Sequence, residues 1–175
     1  MERALENLRK YPLEERLHLE KICHDELSDL YMLCKDKRAE EQIGQCIDLH
    51  RKWLAMDDRF ERPHRDTTGY MMRAYAKMVY LRDLISRDKL NEYYQKCIGL
   101  ARARGDMAEI YSTSARYYQC TGDYERAVAY IDSTITAYKS KGIKADLAPI
   151  YATQSYLYEK MGDYKNALKA VRKTN

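Results

Sequence analysis

Apolar and small residues recur along this chain at alternating spacings of 4 and 3, the signature of one face of an α-helix. The clearest run is Tyr111, Ala115 and Tyr118, then Gly122-Asp123-Tyr124, then Ala127, Ile131 and Thr134. Forty residues on, the series returns as Tyr151, Ser155, Tyr158, Gly162-Asp163-Tyr164, Ala167, Val171 and Thr174. Each series predicts two helices joined by a tight turn. Fainter copies lie upstream, where Ala39, Ile43 and Cys46, and then Leu90, Tyr94 and Cys97, keep the second-helix spacing. Leu13, Leu17, Cys23, Leu27, Leu30 and Cys34 precede the first of these, and Tyr70, Ala74, Met78, Leu81 and Ile85 the second. The pattern predicts an all-α chain of four antiparallel helix pairs, at roughly 12–57, 66–105, 107–142 and 147–175, forming one domain over 1–175.

The turn chemistry fits this division. Gly122 and Gly162 follow the last periodic residues of their helices, where a left-handed C′ residue costs glycine little. Asp123 and Asp163 stand where an N-cap carboxylate can accept orphan amides of the next helix. Tyr124 and Tyr164 complete the triplet as packing residues, so Gly-Asp-Tyr reads as a structural turn rather than an active-site group. Pro12 and Pro149 suit first helical turns. The charged interval 57–68, with Pro63, is the longest connection and the candidate hinge.

Composition narrows the chemistry. Seventeen tyrosines against one phenylalanine suit a core two helices thick, where a ring is buried while its hydroxyl reaches the rim. The 31 basic and 27 acidic residues are interspersed, so the net charge of +4 implies no nucleic-acid partner. No apolar run reaches the ~18 residues of a membrane span, so the segment reads as soluble, with no membrane contact. The five cysteines make no C-x-x-C and are odd in number, which favours reduced thiols on helices. Cys46 and His50 form an i, i+4 pair, but a zinc site needs four converging ligands and no second pair accompanies it. No metal or cofactor is expected. Phosphate-cradling glycine loops and a nucleophile elbow are absent, and the acid pairs Glu14-Glu15 and Glu40-Glu41 point in different directions, so no enzyme is expected within these residues.

With these residues in place, the third and fourth pairs resemble tetratricopeptide repeats, over about 70 residues. The first two match by stripe alone. The resemblance implies a right-handed solenoid that binds proteins or peptides through a concave groove lined by the first helix of each pair. Carried residue by residue, the groove comprises His24, Ser28 and Tyr31; Tyr75, Val79 and Arg82; Ser112, Arg116 and Gln119; and Tyr156 and Lys160. Repeat spacings of 51, 37 and 40 exceed the usual period of the family, and Lys139 replaces its closing proline. Such long repeats are similar to those of bacterial regulators, and the run from Tyr93 to Val171 resembles sensory arrays of two-component histidine kinases. The implied role is a sensory or scaffolding region, cytoplasmic or, attached to a membrane kinase, periplasmic. An alternative is a self-associating module that dimerises attached output domains through the Ala167, Val171 and Thr174 face. An RNA-binding helical repeat is a remote third. The last stripe stops at Thr174 without a polar cap, so the sequence reads as part of a longer protein or one covered there by another subunit.

Overall fold

The computed structural model describes residues 7–55, 66–81, 84–140 and 147–174. Among them are eight α-helices, one short 3-10 turn at Leu8–Lys10 and no strand. The helices are α1 (Leu13–Leu33), α2 (Arg38–Ala55), α3 (Thr67–Val79), α4 (Arg87–Arg104), α5 (Met107–Thr121), α6 (Tyr124–Ser140), α7 (Ala148–Lys160) and α8 (Tyr164–Val171). Among the described residues the fold is an all-α helical repeat, tetratricopeptide-like in its helix pairs. It divides into two compact units, 1–90 and 91–175.

In the first unit, α2 packs against both α1 and α3. Ala39, Ile43, Cys46, Ile47, Leu49 and His50 are buried on α2, Leu17 and Leu27 on α1, and Ala74 and Met78 on α3, with Leu17 and Leu49 packed together. Three members of the α1 stripe expected to be buried are not: Leu13 and Leu30 are about half exposed, and Cys34 is exposed at the C-cap. Leucines occur on more than one side of this helix, so periodicity alone selects the wrong subset. Lys77 of α3 ties the two flanking helices, with Nζ 2.6 Å from Asp25 and 2.8 Å from Asp29. Burial alone would lower the pKa of Lys77; hydrogen bonds to the two carboxylates outweigh it and raise the value. Most of the interval 57–68 expected as a hinge lies outside the described residues, and its last two residues, Thr67 and Thr68, belong to α3. Asp66 caps that helix by accepting from the Gly69 amide at 2.9 Å. A Cβ on Gly69 would sit 2.2 Å from the same carboxylate, so any larger residue there would have to displace the capping side chain.

In the second unit, α6 lies against α5 and α7, and α7 against α8. The core contains Ala115, Ala127, Val128, Ile131, Ile135, Tyr151 and Leu157, with Tyr118, Tyr124, Tyr130 and Tyr158 packed at its edge. Tyrosines continue the packing. Tyr118 stacks on Tyr130 at 5.4 Å and Tyr94 on Tyr117 at 4.1 Å. Two of their hydroxyls find partners, Tyr94 with the buried Ser114 at 3.1 Å and Tyr117 with Asn91 at the surface at 3.2 Å.

One junction recurs four times. At Lys35-Asp36, Gly105-Asp106, Gly122-Asp123 and Gly162-Asp163, the first residue has positive φ, from 53° at Lys35 to 85° at Gly122. The aspartate amide donates to the carbonyl five residues back: Asp36 to Tyr31, Asp106 to Ala101, Asp123 to Tyr118 and Asp163 to Tyr158, at 2.8–3.0 Å. The preceding amide reaches three residues back in every case, which completes a Schellman motif. Asp106, Asp123 and Asp163 then accept the amide three residues ahead, at 3.1–3.2 Å. Asp36 accepts from Arg38 instead, two residues ahead. A single aspartate therefore closes one helix and opens the next. Hydrogen bonds from Asn166, backbone first and side chain second, hold the Asp163 carboxyl below its ordinary value of 3.8. Because the folded value is depressed, this contribution is complete above the unfolded pKa and fades as pH falls through the folded one.

Open space surrounds Gly122, so a methyl group there would meet no neighbour and its cost is conformational. Gly122→Ala is expected to lose about 1 kcal/mol to the left-handed backbone. Gly99→Ala, equally open but inside α4, is expected to gain up to about 1 kcal/mol. Lys35→Gly relieves the strained copy and should gain about 0.5–1 kcal/mol after the extra chain entropy of glycine is subtracted. Urea unfolding of the three variants checks the signs; destabilisation by Lys35→Gly would refute the strain argument.

Candidate interaction surface

The groove residues of the first unit are turned toward α2. His24 Nδ1 and Gln42 Oε1 are hydrogen-bonded at 2.6 Å. The Tyr31 ring lies beneath the Arg38 guanidinium at 4.4 Å. Tyr75 is buried, and its hydroxyl accepts from Arg51 at 3.4 Å. Ser28 and Val79 are fully buried, Ser28 donating to the Asp25 carbonyl at 2.7 Å. Arg82 lies outside the described residues. Beyond its first turn, α1 instead exposes the large apolar side chains Ile22, Leu30 and Leu33, at 42, 49 and 82%. Their spacing of 8 and 3 is visible in the sequence, but nothing there distinguishes it from the buried stripe beside it.

The second unit keeps its groove residues closer to solvent. Ser112, Arg116 and Gln119 occupy successive turns of α5 at positions i, i+4 and i+7, all partly exposed. Arg116 donates to Gln119 Oε1 at 3.2 Å, and Ser112 to the Glu109 carbonyl at 3.2 Å. On α7, Tyr156 is 40% exposed, and Lys160 Nζ lies 5.3 Å from its ring centroid. This contact holds the aromatic face and the cation together on one turn. The unit thus presents a guanidinium–amide pair on α5 and an ammonium–aromatic pair on α7, chemistry suited to a peptide backbone and carboxylates.

The turn residues differ between copies. Gly122 and Gly162 hold the left-handed positions, and Asp123 and Asp163 the caps. Tyr124 packs on the core, whereas Tyr164 is 71% exposed. Of the expected self-association face of Ala167, Val171 and Thr174, Ala167 is buried and its carbonyl accepts from Ser155 of α7 at 3.1 Å, while Val171 is about half exposed. The bare apolar residues of α8 are Tyr164, Leu168 and Val171.

The reactive side chains are engaged in packing. Cys46 lies 3.5 Å from the Lys21 carbonyl, and His50 packs on the Tyr70 ring at 4.2 Å. Burial pushes the Cys46 and Cys97 thiols up to about 11, away from the thiolate range needed for nucleophilic chemistry. No group of three or more His, Cys, Asp or Glu among the described residues is placed to hold a metal ion. No described helix is long and apolar enough to cross a membrane.

Residues 148–173, which span α7 and α8, match the family model described as Tetratricopeptide repeat. The match supports the tetratricopeptide family and, with it, a protein-interaction role. No curated protein matches the chain.

The thiol environments give a direct check of the packing. At pH 8 a thiol reagent such as DTNB should label the exposed Cys34 at once, and Cys46 and Cys97 only on unfolding. Mass mapping of labelled peptides reads the order; early labelling of Cys97 would contradict its burial.

Proposed function

We propose that the chain is a non-catalytic scaffold that binds an extended peptide or protein segment, using the first helices of its repeats. The observation that carries this reading is the coincidence of the tetratricopeptide match at 148–173 with the exposed Tyr156–Lys160 pair on α7. Ser112, Arg116 and Gln119 on α5 supply the companion set. Arginine and tyrosine are the residues that most often concentrate binding energy at interfaces, because each combines large contact area with directional polar groups. A ligand with a free carboxylate or acidic side chain would meet Arg116 and Lys160, while its backbone would find Ser112 and Gln119. Tetratricopeptide folds are generally non-catalytic, which fits the packed thiols and imidazole.

The wider role we assign is the sensory or scaffolding region of a bacterial signal-transduction regulator. It rests on the resemblance of the run from Tyr93 to Val171 to arrays found beside two-component kinases. The flanking coding sequence tests it: a kinase or DNA-binding module there supports the role, and a module foreign to signalling overturns it.

Selection of a random peptide library on the full chain tests the groove. Peptides enriched on the native protein should lose about tenfold in affinity on Arg116→Ala and on Tyr156→Ala, measured by fluorescence anisotropy with helicity checked by circular dichroism. Unchanged affinity in both folded variants would reject this face as the binding site.

A further inference from the structure

Comparison of the two best-matched repeats exposes a second surface, distinct from the groove. Positions 40 apart correspond, so Tyr124, Val128 and Ile131 of α6 match Tyr164, Leu168 and Val171 of α8. On α6 this face is covered: Val128 is 7% and Ile131 4% exposed. The cover is α7, whose Tyr151 and Leu157 share a core with them. On α8 the same face is bare, with Tyr164 at 71%, Leu168 at 54% and Val171 at 47%. The chain therefore contains its own template for what occupies such a face: an amphipathic helix with an aromatic and leucine stripe.

Charge distinguishes the absent occupant from α7. Where α6 carries Glu125 and Asp132, α8 carries Lys165 and Arg172. Asp132 accepts a hydrogen bond from Gln154 of α7 at 2.7 Å, the polar latch of that interface. Its counterpart Arg172 can only donate, so the matching position of an occupant calls for a carboxylate. Lys169 and Lys173 add positive charge where α6 has Ala129 and Ser133, and no acidic residue lies between Tyr164 and Thr174. A second copy of this chain placed face to face would set Lys165 and Arg172 against the same two cations, which like-charge repulsion opposes.

We propose that the Tyr164, Leu168 and Val171 face of α8 docks an acidic amphipathic helix of a partner protein, seated as α7 sits on α6. Apolar contacts supply the seat, and Lys165 and Arg172, which flank the apolar face at i+1 and i+8 from Tyr164, set the sign of the partner.

A stapled peptide with the sequence 148–160 serves as the probe, because an unstapled helix of this length is marginal in water. The staple joins positions 152 and 156, both exposed on α7. Two forms carry Glu or Lys in place of Gln154, and binding to the full chain is read by fluorescence anisotropy. The Glu form is expected to bind at least about tenfold more tightly than the Lys form at low salt. Leu168→Asp should abolish binding of both with helicity unchanged, since Leu168 is exposed. Arg172→Glu should reverse the preference. Equal binding of the two forms, retained binding to Leu168→Asp, or no saturable binding below about 1 mM would overturn the proposal. So would a homodimer lost on Leu168→Asp, or α8 amides already protected from exchange in the full-length gene product without a partner. Arg116→Ala and Tyr156→Ala should leave probe binding unchanged, which separates this site from the groove.

Discussion

A second helix in this architecture has two apolar faces, and its own hairpin partner can cover only one. Helix α6 shows the constraint most fully. Ala127 and Thr134 belong to the stripe that meets α5, while Val128 and Ile135 extend a core shared with α7. Burial of one such side chain is worth roughly 1.5–3 kcal/mol, so leaving that face in water would cost a large part of a small unit's stability. The stacking of one hairpin on the next follows from that surplus. It also accounts for the tyrosines, whose rings extend a thin core while their hydroxyls pair with Ser114 and Asn91.

Stacking requires that successive helices leave their turns in compatible directions, and the recurring aspartate junction supplies this. Its hydrogen bonds fix the C-terminus of one helix and the N-terminus of the next through a single residue, so little freedom remains between them. Three junctions join the helices of a hairpin, and the fourth, at Gly105-Asp106, joins α4 to α5. The α3–α4 connection uses a different device, with the Ser86 hydroxyl accepting from the Lys89 amide at 3.3 Å. Hairpin turn and repeat connection can therefore share one local solution, which makes the array a property of short-range chemistry as much as of packing.

That division between local and long-range causes decides what the sequence revealed. The third and fourth hairpins were legible because Gly-Asp-Tyr anchors the register on both sides of each turn. The equivalent turns at Lys35-Asp36 and Gly105-Asp106 carry no such mark, because the first lacks both the glycine and the tyrosine and the second lacks the tyrosine, although each makes the same backbone bonds. Helix α1 was the least readable element. Its 21 residues carry leucines on more than one side, and only the positions of α2 and α3 determine that Leu17 and Leu27 go inward while Leu30 and Leu33 stay out. Groove positions counted from that stripe inherited the displacement, so His24 and Tyr31 face α2. On α5 and α7 the count started from an anchored turn, and Arg116 and Tyr156 retain solvent-facing surface.

The paired tyrosines show why repeat position and repeat identity must be kept apart. Tyr124 and Tyr164 occupy the same slot of the same motif, after the same glycine and the same capping aspartate. One packs against a core, and the other is mostly in water, because burial at this slot is conferred by the following helix rather than by the hairpin that carries it. Motif matching reports the shared backbone solution and is blind to that difference. The informative residues are therefore those where the copies diverge in charge while their apolar positions agree: Asp132 against Arg172, and Glu125 against Lys165. A face that kept its apolar stripe but exchanged acids for bases preserves the ability to receive a helix and changes which helix it accepts.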